Sequence, residues 1–159
     1  AEFARSYDYL LLASNFGTFK DNRPGFHKLY KDLSDKAWKN GTELIKYVTK
    51  RGGKVKLDNS HSKITTAELN EAKSLTYALD TEKRMAIETH RIHEHASHAK
   101  CPADYDPSLS HFVEEKYFED QTETIRKLAG YGNDLKQMWK EAPTKQLATY
   151  LFDEYLQKQ

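Results

Sequence analysis

Apolar residues recur at alternating steps of three and four along most of this chain, with polar residues between them, which is the pattern of helices that bury one face. Punctuation divides the pattern into five helical segments. The first runs from the start to about Phe19 and stops at KDNRPG, where Pro24 forbids simple continuation. The second runs from about Phe26 to Arg51 and stops at Gly52-Gly53. KVKLDNSHSKITT follows, polar and without period, a connection of about a dozen residues that is long for a compact domain and is expected to cross the length of a bundle. A third helix is predicted from Thr65 or Thr66 to about Ala96, with Thr65 to Glu68 as a capping box. The fourth starts near Pro107, where Asp106-Pro107 reads as N-cap and first helical position, and runs to about Trp139. A short fifth, TKQLATYLFDEYLQ, carries an apolar stripe at Leu147, Tyr150, Leu151 and Tyr155. It is too short to be stable alone, so it must pack on something, and other subunits are one candidate. Four long helices with a long second-to-third connection predict an all-α fold: a four-helix bundle with a crossover and a short fifth helix, in a single domain over residues 1–159.

The same period assigns the inward positions. They are Glu2, Ser6, Tyr9, Ala13 and Phe16 on the first helix, and Phe26, Tyr30, Leu33, Ala37, Asn40, Leu44 and Val48 on the second. The third offers Ala72, Leu75, Leu79, Glu82, Ala86 and Thr89; the fourth offers Tyr117, Gln121, Ile125 or Thr124, Leu128 and Leu135. Glu2, Tyr9, Asn40, Glu82 and Gln121 break an otherwise ordinary core. A buried carboxylate costs several kcal/mol unless it is paired, protonated or bound to metal, so two in one stripe system suggest a purpose. Di-iron sites in bundle cores combine a Glu on each of two helices with a Glu-x-x-His on each of the others. Here the matching spacing on the second helix holds Ala37 and Asn40. Tolerated polar residues satisfied by hydrogen bonds, or a functional or vestigial metal site, both fit that spacing.

Composition narrows the picture. The 159 residues carry 25 basic and 24 acidic side chains mixed along the chain, a net charge of +1, which leaves no electrostatic footprint for nucleic acid or anionic lipid. No apolar run approaches the roughly 18 to 20 residues of a membrane span, so neither nucleic acid nor membrane insertion is expected. The sequence opens inside an apolar-periodic segment with no cap before it, and an upstream part of the first helix is expected. A lone Cys101 cannot close an internal disulfide; a free thiol, or pairing with an upstream segment or another subunit in an oxidising compartment, are its two readings.

With these residues assembled, the chain resembles a ferritin over nearly its whole length. The strings that carry the resemblance are KRGGKVKL, LDTEK, DPSLSHFVEEKYFEDQ, RKLAGYGNDLKQM and ATYLFDEYLQK. RSYDYLL, NRPGFHKLYKDLSDKAW and FDEYLQK are most similar to the light-type subunit of secreted insect ferritins. The resemblance implies a bundle assembled as a hollow shell of 24 subunits that stores iron as ferric mineral. It also implies heavy-type catalytic subunits as partners and a secreted or secretory-pathway location, with a cytoplasmic one as the alternative. Glu2, Tyr9, Glu82 and Gln121 match the family's ferroxidase positions, whereas Ala37 and Asn40 replace a Glu and a His. Glu2 and Glu82 remain as weak metal ligands, and little ferroxidase activity is expected. The implied three-fold channel at the start of the fourth helix carries Glu114, with His111 where the family has an Asp; its charge would depend on pH. On the cavity face, Lys36 and Lys39 stand where carboxylates are common, leaving Asp32, Asp35 and Glu43 for nucleation.

Two other functions compete with a non-catalytic storage subunit. One is a residual or rearranged iron-oxidising site in which Glu2, Glu82, Gln121 and a water or Tyr9 hold one metal; the other is a bundle that keeps the fold and stores nothing. HRIHEHASH places His90 with His93, and His95 with His98, on shared faces, a weak metal signal beside the reading that they are surface histidines near a helix C-terminus. Asn40-Gly41-Thr42 is formally a glycosylation sequon, but it lies mid-helix with Asn40 inward. His27 and His61 call for no functional role.

Overall fold

The computed structural model describes residues 1–57, 69–98 and 105–159, and among these every regular element is helical. The elements are α1 (Glu2–Phe16), α2 (Pro24–Lys50), α3 (Glu71–Ser97), α4 (Pro107–Val113), a π-helical turn π1 (Glu114–Phe118), α5 (Glu119–Glu141) and α6 (Lys145–Gln157). The segments α4, π1 and α5 follow one another without a break and form the predicted fourth helix. The chain divides into two compact units, residues 1–74 with 135–159, and residues 75–134.

In the first unit α1 packs on α2, and α6 packs on the beginning of α2. All five inward positions expected on α1 are buried, joined by Arg5 and Leu12. The core is aromatic. Phe16 lies 5.2 Å from Phe26 and 5.7 Å from Tyr30, Tyr30 stacks on Tyr9 at 6.3 Å, and Phe26 meets Phe152 of α6 at 5.8 Å. Such offset pairs add to the burial of large rings. α1 stops at Phe16 rather than Phe19, whose ring is 98% exposed. The chain then reverses through Asn22, in the left-handed region at φ 46°, where an Asn is better tolerated than most side chains. The His27 Nδ1–H donates to the Ala13 carbonyl at 2.8 Å and pins the corner. Its Nδ1 stands 2.7 Å from where a Cβ on Gly17 would be, so no larger residue fits there. At the far end of α2, Gly52 adopts φ +79° and the Gly53 N–H bonds the Val48 carbonyl at 2.9 Å. This is the left-handed stop that a Gly-Gly pair permits.

The predicted stripe on α2 holds through Phe26, Tyr30, Leu33 and Ala37 and then fails. Asn40 and Val48 are half-buried, Leu44 is 38% exposed, and Gly41 takes the inward place. The third helix begins at Glu71, capped by the Asn70 side chain, which accepts the Lys73 N–H at 2.9 Å. Residues 69 and 70 are not helical, so a helix continuous from Thr65 is corrected; the capping box expected at Thr65 to Glu68, His61 and Cys101 lie outside the described residues. The first turn of α3 is tied to the α1–α2 corner. Arg23 pairs with Glu71 at 3.1 Å, and the buried Tyr30 hydroxyl donates to Ser74 Oγ at 2.7 Å.

In the second unit, α3 runs antiparallel to the α4–π1–α5 helix, since Thr89, His93 and Ser97 bond in turn to Gln121, Glu114 and Ser110. Asp106 caps α4 as expected, accepting the Leu109 N–H at 3.0 Å ahead of Pro107. Tyr117, Gln121 and Leu128 are buried, as is Leu135 in the first unit, and of the alternatives Ile125 and Thr124 it is Thr124 that turns inward. On α3, Leu75, Glu82 and Thr89 are buried as expected, while Ala72, Leu79 and Ala86 are half-buried beside a deeper row of Ser74, Ala78 and Thr81.

Candidate functional site

The polar residues that interrupt the core begin with Glu2, in the first turn of α1. Its carboxylate accepts a hydrogen bond from the Arg5 guanidinium, Nη2 to Oε2 at 2.5 Å, and the two side chains are 7% and 6% exposed. The spacing of three puts them on one face of a single helix turn. Arg5 was not among the inward residues read from the sequence, because a long cationic side chain normally marks a solvated position. Its only signal was the Glu-x-x-Arg spacing with an inward Glu.

Across from this pair runs the middle of α2. Ala37 is 1% exposed. One turn on, a Cβ at Gly41 would lie 3.0 Å from the Phe3 ring and 3.2 Å from the Glu2 Cβ, so Gly41 lets the two backbones close together beside Glu2. Asn40 stands at the edge of that contact, half-buried. Tyr9 is fully buried and stacked on Tyr30. This part of the molecule thus brings together Glu2, Arg5, Gly41 and the Phe3 ring; Arg5 donates to one oxygen of the carboxylate, Oε2, while Oε1 is buried without a hydrogen bond, and α2 adds no charged donor beside it. The Tyr30 phenol is held protonated well above its usual range, chiefly by burial.

The other polar residues expected at a metal site lie in the second unit. Glu82 and Gln121 are both buried, and the Gln121 amide donates to Thr89 Oγ1 at 3.0 Å, whose own hydroxyl donates to the Met85 carbonyl at 2.8 Å. In the same unit the two residues expected at a channel, His111 and Glu114, have separate partners. Glu114, in the π1 turn, meets His93 Nε2 at 2.6 Å, whereas the exposed His111 lies 3.8 Å from Glu115. His93 is the one histidine of HRIHEHASH that is half-buried, and both His90 and His93 reach the Phe118 ring, at 6.5 and 5.0 Å. The shared face of that His pair was legible; its partner on another helix was not. Of the residues expected on a nucleation face, Asp32 and Asp35 are exposed and Glu43 half-buried, and Lys31 forms an ion pair with Asp35. Among the described residues, no three His, Cys, Asp or Glu side chains are grouped closely enough to hold a metal ion, and no helix is long and apolar enough to cross a membrane.

An all-helical chain with buried carboxylates and a short terminal helix docked on α2 defines a class, the ferritin-like helical proteins, and the comparisons agree with it. The family model "Ferritin-like domain" matches residues 1–138. The chain is 48% identical over 166 residues to the ferritin light chain of Drosophila melanogaster, spanning 100% of this chain and 72% of that protein. It is 44% identical to the ferritin light chain of Trichoplusia ni, over 97% of this chain and 69% of the relative. The crystal structure of Trichoplusia ni secreted ferritin superposes with a TM-score of 0.87 at 40% identity, covering 99% of this chain and 77% of that one. The chain belongs to the ferritin family. Its fold is therefore the expected four-helix bundle with a short fifth helix, and the family's cargo is iron, held in shells of several subunits.

Proposed function

We propose that this chain is a light-type ferritin subunit, a single ferritin-like domain that helps build an iron-storage shell of 24 subunits and leaves Fe(II) oxidation to heavy-type partners. Two relatives more than 40% identical are named light chains, and one solved relative is a secreted ferritin, which supports a place in the secretory pathway. The observation that carries the reading is the buried Glu2–Arg5 pair packed beside Ala37 and Gly41. A ferroxidase metal needs an anionic oxygen at Glu2 and, on α2, a further carboxylate and an imidazole. Here the Glu2 charge is matched by the Arg5 guanidinium at Oε2, and although Oε1 accepts no hydrogen bond, α2 offers beside it a methyl group, a glycine and an amide instead of a carboxylate and an imidazole. The residual one-metal alternative is weakened by the same pair, because Glu2 would have to surrender a charge-assisted hydrogen bond to bind.

The other family positions are occupied in the same spirit. Glu114 shares its oxygen with His93, so an ion at the channel positions His111 and Glu114 competes with that contact. Lys31 neutralises Asp35, which leaves Asp32 and Glu43 as the carboxylates of the proposed nucleation face, flanked by Lys36 and Lys39.

Stopped-flow oxidation of Fe(II) tests the proposal on three proteins: the parent chain, Ala37→Glu with Asn40→His, and that pair with Arg5→Ala added. The parent and the two-site variant are expected to stay slow, and the three-site variant to gain at least about tenfold, the scale on which a neighbour tunes a metal ligand. A parent that matches a heavy-type subunit overturns the reading. Native mass spectrometry after co-expression with a heavy-type subunit checks the mixed shell.

A further inference from the structure

The short helix α6 has two apolar faces, and hydrophobicity does not select between them. Leu147, Tyr150, Leu151 and Tyr155 lie on one face, all about half exposed. The face turned toward α2 holds Ala148, Thr149, Phe152, Asp153 and Leu156. By side-chain apolarity the first is at least as good a core face as the second, which carries a hydroxyl and a carboxylate into the interior.

The carboxylate has specific partners. The beginning of α2 lacks a side-chain cap of its own: Arg23 occupies the N-cap position and Pro24 the first turn. Asp153, 3% exposed, supplies the cap from another helix. Its Oδ1 accepts the Phe26 N–H at 3.0 Å, and its Oδ2 accepts the Gln157 side-chain N–H at 3.1 Å. The carboxylate therefore sits at the positive end of the α2 dipole and satisfies one of the donors that every helix leaves open there. The backbones touch at the same point. A Cβ on Gly25 would come within 2.1 Å of the Asp153 carbonyl oxygen and 2.9 Å of the Leu156 Cβ, so Gly25 admits α6 in this one rotation. Two further bonds agree with it: Trp139 Nε1 donates to Thr149 Oγ1 at 2.9 Å, and Lys28 Nζ to the Gln157 carbonyl at 3.2 Å.

We propose that Asp153 is the positioning residue that fixes which face of α6 turns inward, by capping α2, and so determines that the Leu147–Tyr150–Leu151–Tyr155 face is left for neighbouring ferritin subunits. The second half of that statement rests on the shell reading above; the first half does not. Asp153→Leu separates the cap from hydrophobicity, because it makes the buried face more apolar while removing the acceptor.

The test is hydrogen exchange of residues 145–157 in the full chain, followed by mass spectrometry, with sedimentation velocity on the same samples. Asp153→Leu is expected to speed exchange of α6 by about ten- to a hundredfold, the scale of a lost charge-assisted cap, with α1 unchanged and assembly reduced. Asp153→Asn retains an acceptor and is expected to recover most of the protection, which a loss of packing alone would not do. Gly25→Ala, a change in the opposite helix, is expected to release α6 as well and serves if Asp153→Leu does not fold. Unchanged or increased protection in Asp153→Leu, or in Gly25→Ala should that variant have to stand in, overturns the proposal. A parent that never assembles overturns the shell reading, and the exchange data then decide the role of Asp153 by themselves.

Discussion

Glu2 and Asp153 are both buried carboxylates in the same unit, and the molecule meets their desolvation cost in different ways. Glu2 is matched by a full positive charge from Arg5, one turn along its own helix. Asp153 is matched by a backbone N–H at the beginning of a helix distant in sequence and by a neutral amide. The local solution supplies the countercharge from the same helix, at one oxygen of the carboxylate. The distant one turns it into a docking contact. Burial of an acid is thus uninformative about function until its partner is named: one carboxylate answers a guanidinium on its own helix, the other the open N–H groups of a helix distant in sequence.

Three substitutions sharpen that contrast, in order of expected effect. Arg5→Ala strips the cation from a buried carboxylate and should destabilise the chain by about 3–5 kcal/mol, whereas Glu2→Leu with Arg5→Leu should cost much less. Urea denaturation of the two proteins checks this, and equal losses would mean that packing rather than charge matters at the pair. Gly41→Ala pushes a methyl group against the Phe3 ring and the Glu2 Cβ; overpacking of this kind costs about 1–3 kcal/mol, read as a shift in the same denaturation midpoint. A result near zero would show that α1 can move away from α2 freely.

The smallest effect belongs to a buried group with a neutral partner, the Tyr30 phenol on Ser74. Its pKa is raised by burial, so the folded state keeps a proton that the unfolded state loses above its usual value of about 10. The contribution of Tyr30 is therefore complete below about pH 10 and is lost as pH rises from there toward the raised folded value. Tyr30→Phe should lose about 1 kcal/mol at neutral pH with the hydrogen bond, and its thermal midpoint should fall less steeply than the parent's above pH 10.

Much of this was legible in the residues. On α1 the three-four period placed Glu2, Ser6, Tyr9, Ala13 and Phe16 correctly because each carries a side chain whose size or polarity registers in the pattern. On α2 the reading slipped at Gly41, since a residue without a side chain has no apolar signal to mark it as inward, and Asn40 and Leu44 were given its place. On α6 the only stripe legible was Leu147, Tyr150, Leu151 and Tyr155, expected to pack on something, and it is about half exposed; the face turned to α2 was not read, because its partners, Gly25 and Phe26, are more than a hundred residues away. The π1 turn had no local signal. Arg5 was passed over because charge on a helix normally means water.

The Glu2–Arg5 pair also bears on the history this chain can have. On the proposed reading, a catalytic centre needs at least three changes, at positions 5, 37 and 40, and no first step is easy. Losing Arg5 first leaves a buried anion without its cation; gaining a Glu first at position 37 places a second carboxylate where the native methyl group is 1% exposed. On that reading, Arg5→Ala alone and Ala37→Glu alone are each expected to be less stable than the parent and no better at oxidising iron, so selection on either property would turn them back. A subunit that has exchanged a metal for an arginine in this way is held there by a ratchet: it can drift in its surface and its partners, but its division of labour with catalytic subunits becomes permanent.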